Sequence, residues 1–251
     1  HIQQELALYG NIITSCLLQF LILLIRRNYR TVVTLHGVIS IKAINKDFIK
    51  ENYAKYPVIL VKLGFYFIYK PICLFVAKII VHEKCFKDIL IEEYGVKKDK
   101  IEVIHHGVPD LKAMDKGLAC GKLDLDSSKN IVLFMGYLTG YKGLELLIEG
   151  FSDYSKLNSN AFLIIGAGKH PRLANDIDYL EEYSRLESKA KALIPENMYR
   201  WVGFIPDDLV TTYYSAADVS VYPYTIQMSS SGPMAIAIGH EKPFLASIVF
   251  N

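Results

Sequence analysis

Lys142 is the first residue whose type and place could do chemistry. It follows a glycine-bounded loop, Gly136–Gly140, and opens what reads as a helix. The unsatisfied N–H groups of a helix start, joined by an ammonium, make phosphate a natural guest. The apolar run Ile131–Met135 ahead of the loop reads as a strand, and Leu144, Leu147 and Ile148 keep the spacing of one buried helix face. The spacing is neither that of a P-loop nor that of the dinucleotide fingerprint. By itself, a strand, glycine loop and helix is also the ordinary tight connection of an α/β protein.

Three other groups could serve the same chemistry. Ser229, Ser230, Ser231 and Gly232 offer hydroxyls and N–H groups ahead of a helix, which suits a phosphate or a sugar. His36-Gly37 ends the β-rich run Thr31–Leu35, at the sheet edge where open parallel sheets bind ligands. Gly166-Ala167-Gly168 closes the apolar run Ala161–Ile165, and its glycines could let backbone approach a ligand. Trp201 is open to two readings, a base contact or core packing.

Composition narrows the classes. With 251 residues, 51% of them hydrophobic, the chain can bury one large or two modest cores. A formal charge of +2 with scattered Lys and Arg argues against a nucleic-acid binder. The four cysteines, Cys16, Cys73, Cys85 and Cys120, form no CxxC, and reduced thiols are the expectation. The seven histidines show no HExxH and no other ligand spacing, so no metal is expected.

The elements that must position these residues alternate as strand and helix along the chain, which predicts parallel sheets with helices on both faces. Ile12–Ile25 reads as a buried helix, too short for an easy membrane span. Phe48–Ala77 reads as helical, interrupted at Pro57 and Pro71. That aromatic-rich segment is read first as a core helix pair, and second as a surface touching lipid headgroups. Pro109–Lys129 reads as a linker. Helices are expected over Asp176–Leu193 and from Pro206, with a strand at Val219–Tyr222. The chain starts with His1 and stops just after a strand-like run, and both ends are expected to be cut through a fold.

Several segments, in order, resemble the retaining nucleotide-sugar glycosyltransferases of the two-Rossmann-domain (GT-B) type, family 4-like. They are HIQQE at the start, TLHG at 34–37, IIVHE at 79–83, EEYGV with HHGV at 105–108, the Gly136–Lys142 loop, GAG at 166–168, VGF at 202–204 and YYSAADVSVYP at 213–223. The resemblance implies an α/β fold of two facing Rossmann-like domains: residues 1–108 on the acceptor side, a linker at 109–129, and residues 130–251 binding the nucleotide-sugar, with C-terminal helices missing. It implies transfer of a hexose from a GDP-, UDP- or ADP-hexose donor to a glycan, lipid or small-molecule acceptor, with no other cofactor and no metal.

The site residues it implies are His36 and Lys142 for catalysis. For the donor it implies Gly136, Tyr137, Lys142, Gly166, Gly168, Val202, Phe204, Gln227, Ser229, Ser230, Ser231 and Gly232. The mechanism it implies is front-face transfer, with the leaving phosphate helping to deprotonate the acceptor and His36 supporting the sugar. A cytoplasmic location is expected, with the inner membrane face as an alternative.

The chain departs from the family pattern at several places. Tyr137 stands where the family has a phosphate-binding arginine, and a phenol donates one hydrogen bond but no charge. A neighbour such as Lys169 could stand in. Gln4 replaces a histidine, His105 a proline, and Glu241 a glycine. Two family glutamates are absent, with Gln227–Ser229 and Ile236 near their places. These losses keep other readings open: a sugar-nucleotide epimerase, a glycan phosphorylase, or a catalytically degenerate member that binds nucleotide or glycan.

Overall fold

The structure, a computed structural model, describes residues 1–4, 12–226 and 230–250. The described chain forms two compact units, one drawn from residues 1–106 and the other mainly from 107–226 and 231–250.

The first unit holds a parallel sheet in the order β1 (Ile2–Gln4), β2 (Val32–Leu35), β3 (Lys78–Val81), β4 (Ile101–Val103). Val33, Leu35, Ile79, Val81 and Ile101 are buried on it, as β-rich apolar runs in a covered parallel sheet should be. Its helices are α1 (Ile12–Ile25), α2 (Lys46–Glu51), α3 (Val58–Phe75) and α4 (Lys84–Glu92).

The expected break at Pro71 does not occur, and α3 runs through it. A proline removes the N–H that would pair with the carbonyl four residues back. That carbonyl belongs to Phe67, and Gln19 of α1 donates its Nε2 to it at 2.8 Å and to the Ile68 carbonyl at 3.1 Å. The core reading of these helices is only partly met. Ile22, Ile68, Tyr69 and Ile72 are buried, but Phe20, Leu24, Ile59, Leu60 and Phe67 are exposed. By length and composition alone, α3 could cross a membrane.

The second unit holds a parallel sheet in the order β7 (Tyr199–Trp201), β6 (Ala161–Lys169), β5 (Asn130–Leu138), β8 (Val219–Tyr222), β9 (Phe244–Ala246). Its helices are α5 (Lys116–Leu123), α6 (Leu144–Leu157), α7 (Ile177–Leu193), α8 (Asp207–Ala216) and α9 (Gly232–Gly239). One core, with Leu147, Ile148, Phe151, Leu163, Ile165 and Leu186, packs α6 and α7 against β5 and β6. A second, with Cys120, Ile131, Leu133, Ile164 and Tyr214, packs α5, α8 and α9 against the sheet.

α5 lies inside the stretch read as linker. Asp115 caps it by accepting from Leu118 N–H, the left-handed Asp124 ends it, and Ala119 and Cys120 bury its inner face. The weak period of that stretch hid an eight-residue helix. Strands β5 and β6 are longer than the sequence suggested: the glycines at 136, 166 and 168 sit within them, paired in register as Met135↔Gly166 and Tyr137↔Gly168. Gly with small neighbours looked like a turn, yet both strands simply continue to their carboxyl ends.

Candidate functional site

The carboxyl ends of β5, β6 and β8 bring one group of residues together. β5 ends at Leu138, and a single 3-10 turn, Gly140–Lys142, leads to α6. Lys142 is therefore in the turn, not in the helix as its position suggested. Gly143, at φ +67°, is the helix cap that separates them. A side chain there would overlap the Pro223 carbonyl, so only glycine lets the turn close against the loop after β8. Thr225 fastens that loop by donating its N–H to the Tyr141 carbonyl at 2.8 Å.

This closure buries the Lys142 side chain. Its ammonium lies 5.4 Å from the centroid of the Tyr224 ring, and it makes no hydrogen bond or ion pair among the described residues. Burial lowers its pKa, with a smaller opposing effect from Tyr141. A Cβ at Gly136 would stand 2.6 Å from Lys142 Nζ and 3.7 Å from Pro233 Cγ, so the ammonium, the β5 backbone and the start of α9 share one small space. The Thr139 hydroxyl, just ahead of the 3-10 turn, is buried without a partner among the described residues.

α9 enters with its N-terminus at this place. Ser231 caps it, accepting from Met234 N–H at 3.3 Å, and its Oγ lies 3.2 Å from Tyr224 Oη. Gly232 is the first helical residue. The Pro233 carbonyl accepts from both Tyr214 and Tyr222 hydroxyls, which fixes the first turn. Ser230 groups by its contacts with the first unit, its hydroxyl donating to Glu83 at 3.1 Å. Gln227 and Ser229 lie outside the described residues.

Tyr137 points outward on β5 and is 40% exposed. Its ring is stacked with that of Phe204, centroids 5.8 Å apart and planes 16° from parallel. The His170 ring lies 5.7 Å from it, tilted by 59°. Lys169, expected as a substitute cation, holds its ammonium 4.9 Å over the Tyr183 ring.

Several residues expected to face a ligand are engaged with protein. Trp201 packs against the core, its indole N–H donating to Tyr183 Oη at 3.0 Å, so the packing reading holds and the base reading does not. Val202 spends its N–H on the Ile165 carbonyl. The space beside Gly166 is filled by Ile205, and that beside Gly168 by Phe204, so the close approach these glycines permit is to protein. Tyr224, Thr139 and His170 were missed. Only Tyr224 had a signal, standing two residues beyond a strand end next to the expected site.

In the first unit His36 follows β2. Its Nε2–H donates to Gln3 Oε1 at 2.7 Å, and its ring lies 5.0 Å from that of His82, which lies 5.3 Å from that of His106. The three follow β2, β3 and β4, so the sheet's carboxyl edge carries a row of imidazoles. Gln4 is buried at the end of β1, and its amide has no partner among the described residues. Among the described residues, no three His, Cys, Asp or Glu side chains are grouped as metal ligands.

Two family models match this chain in succession. "Glycosyltransferase Family 4" matches residues 9–110, and "Glycosyl transferases group 1" matches residues 119–237. Mannosylfructose-phosphate synthase of Agrobacterium fabrum is 28% identical over 137 residues, 53% of this chain and 30% of that protein. The structure of sucrose-phosphate synthase from Thermosynechococcus elongatus superposes with a TM-score of 0.71 at 20% identity, covering 97% of this chain and 58% of that one. Anabaena HepE in complex with UDP-glucose gives 0.59 at 16% identity, with 94% and 56% covered. The chain thus spans less than a third of the curated relative and over half of the solved ones. One glycosyltransferase family model thus matches each unit, the two together spanning most of the chain, and the fold is that of the two-Rossmann-domain (GT-B) glycosyltransferases.

Proposed function

We propose that this chain works as a retaining hexosyltransferase, taking a hexose from a nucleotide-sugar and passing it to a glycan, lipid-linked or small-molecule acceptor. The observation that carries the reading is the Lys142 ammonium, buried with an aromatic face and no counter-ion among the described residues. A buried charge without a partner is costly, and an anion entering from solvent removes that cost. The capped N-terminus of α9 adds donors at the same place.

A diphosphate leaving group fits this chemistry. Charge grows on its oxygens as the glycosidic bond breaks, and donors fixed there beforehand lower the barrier. Gly136, Lys142, Ser231 and Gly232 are assigned to the diphosphate and the sugar. Tyr137, Val202 and Phe204 are assigned to the nucleoside side, where the exposed Tyr137–Phe204 stack offers an apolar wall. His36 is assigned to the reacting sugar and acceptor. The retaining outcome rests on the family and on the absence of a carboxylate among the described residues of the Lys142 group. That HepE was solved with UDP-glucose makes a uridine donor the first to try. A cytoplasmic location is part of the reading, with the inner membrane face as the alternative, for which the exposed apolar side chains of α1 and α3 are the support.

The test is a calorimetric screen of UDP, GDP and ADP and their hexose conjugates, followed by nucleotide release with and without candidate acceptors. Tight binding of one nucleotide, and release that needs an acceptor, is the expected result. Isomerisation of the sugar with no acceptor-dependent nucleotide release identifies an epimerase, and phosphate-dependent release of sugar phosphate from a glycan identifies a phosphorylase.

A further inference from the structure

The family's arginine position is a tyrosine here, and the structure places an imidazole beside it. His170 follows β6, next to Tyr137 at the end of β5. Its backbone is tied in place: its N–H donates to Tyr179 Oη at 2.7 Å, and that hydroxyl donates to the Leu138 carbonyl at 3.1 Å. Tyr179 is fully buried in α7, whose cap Asp176 accepts its N–H. The position of His170 relative to the Gly136–Lys142 loop is therefore set by a buried phenol bridging the two strand ends.

The ring is oriented as well. Nδ1 accepts the Arg172 N–H at 3.2 Å, which makes Nε2 the protonated nitrogen of the neutral ring. Nε2 has no protein partner among the described residues. The charged and titratable groups around it are Arg172 in its own turn, Tyr137 on β5, Tyr179 on α7 and Lys142 across the loop.

We propose that His170 donates its Nε2–H to the diphosphate of the nucleotide-sugar and supplies the charge that Tyr137 cannot: with that ligand bound the ring becomes imidazolium, Nδ1 taking up the proton and giving up the exposed Arg172 N–H. The proposal rests on the donor-site reading above and names a further residue within it.

The electrostatics give the proposal a pH signature. Burial first, then the charges of Arg172 and Lys142, hold the His170 pKa below its ordinary value in the free protein. A diphosphate beside it reverses the local potential and raises it. The extra affinity is therefore full below the free-state pKa and is lost as pH rises through the bound-state pKa. Each unit between the two pKa values is a tenfold change in affinity.

The experiment is calorimetric titration of UDP-glucose and GDP-mannose near pH 6 and near pH 8. Their diester diphosphates do not titrate in that window. Wild type is compared with His170→Gln and His170→Ala, each checked for an unchanged melting temperature. The expected result is about tenfold tighter binding near pH 6 in wild type, no such gain in His170→Gln, and weaker binding at both pH values in His170→Ala. The same pH gain in His170→Gln, or unchanged affinity in His170→Ala, overturns the proposal while leaving the donor site standing. Failure of wild type to bind either probe, or any nucleoside diphosphate, overturns the donor-site reading and this inference with it.

Discussion

The ammonium of Lys142 lies against the ring of Tyr224, 5.4 Å from its centroid, and this pairing joins the turn after β5 to the loop after β8. The aromatic face partly offsets the desolvation of the charge, but no anion shares the space among the described residues. Charge-assisted contacts to phosphate contribute about 1.5–3 kcal/mol, or about one to two decades of affinity. Lys142→Ala is therefore expected to weaken a nucleoside diphosphate by that factor and the unphosphorylated nucleoside hardly at all. Lys142→Arg is not expected to rescue it, since a planar guanidinium does not replace a compact ammonium in a space where even a Cβ at Gly136 would meet Lys142 Nζ. Titration of both ligands against both variants checks this. Equal losses for nucleoside and diphosphate would mean that Lys142 shapes the unit rather than holding phosphate.

The two glycines around this lysine are expected to fail differently. Gly136 has φ +142°, and an added Cβ meets the movable end of Lys142, whereas at Gly143 it meets the fixed carbonyl of Pro223. Gly143→Ala should destabilise the fold by about 1–3 kcal/mol, through overlap with backbone. Gly136→Ala carries backbone strain too, but displaces the ammonium, so its diphosphate affinity should fall beyond what its loss of stability accounts for. Denaturant melts set beside diphosphate titrations separate the two.

The sheet edges were legible in the sequence because apolar runs ending in His36, Gly136, Gly166 and Tyr222 repeat the strand–loop–helix rhythm. Lys142 was legible for the same reason. What could not be read depends on distant pairings. His170 stands far from Tyr137 in sequence and meets it only because β5 and β6 pair in register. Gln19 rescues the proline in α3 from another helix, so the local rule against an internal proline misled. Gly168 looked open to a ligand because the sequence cannot show Phe204 lying over it.

Activity is expected to survive EDTA. On the proposed donor site, Lys142, the α9 N-terminus and His170 are the donors to phosphate, and no three His, Cys, Asp or Glu side chains are grouped as metal ligands among the described residues. Transfer rates measured after chelation, with and without added Mg²⁺ or Mn²⁺, check this, and a strict requirement for the added ion would count against it.

α6 and α7 are joined at the surface by Glu145, which accepts from Arg185 at 2.7 Å and from Lys189 at 2.6 Å. The Arg185 hydrogen bonds, then that of Lys189, lower its pKa to about 2. The folded pKa lies below the unfolded one. The stabilisation is therefore present above about pH 4.5 and fades as pH falls toward the folded value. The groups are well exposed, so screening limits the effect to about 0.5–1 kcal/mol. Glu145→Gln should lower the melting temperature at neutral pH and converge on wild type near pH 2. A constant difference across that range would place the effect elsewhere.

His36 offers the separation between binding and turnover. It follows β2 in the first unit, hydrogen-bonded to Gln3 and beside His82, whereas Lys142, Tyr137 and Phe204 belong to the second unit. A residue that meets only the reacting sugar or the acceptor contributes to the transition state and little to nucleotide binding. His36→Ala is expected to lower the transfer rate by about 10²–10³-fold, in the range of losing one preorganised polar contact, with the dissociation constant of the nucleoside diphosphate nearly unchanged. His36→Gln retains a donor and should recover part of the rate. Turnover at saturating donor, set beside calorimetric binding of the diphosphate, reads the two quantities independently. An equal loss in both would move His36 from the acceptor side into the nucleotide site and overturn its assigned role.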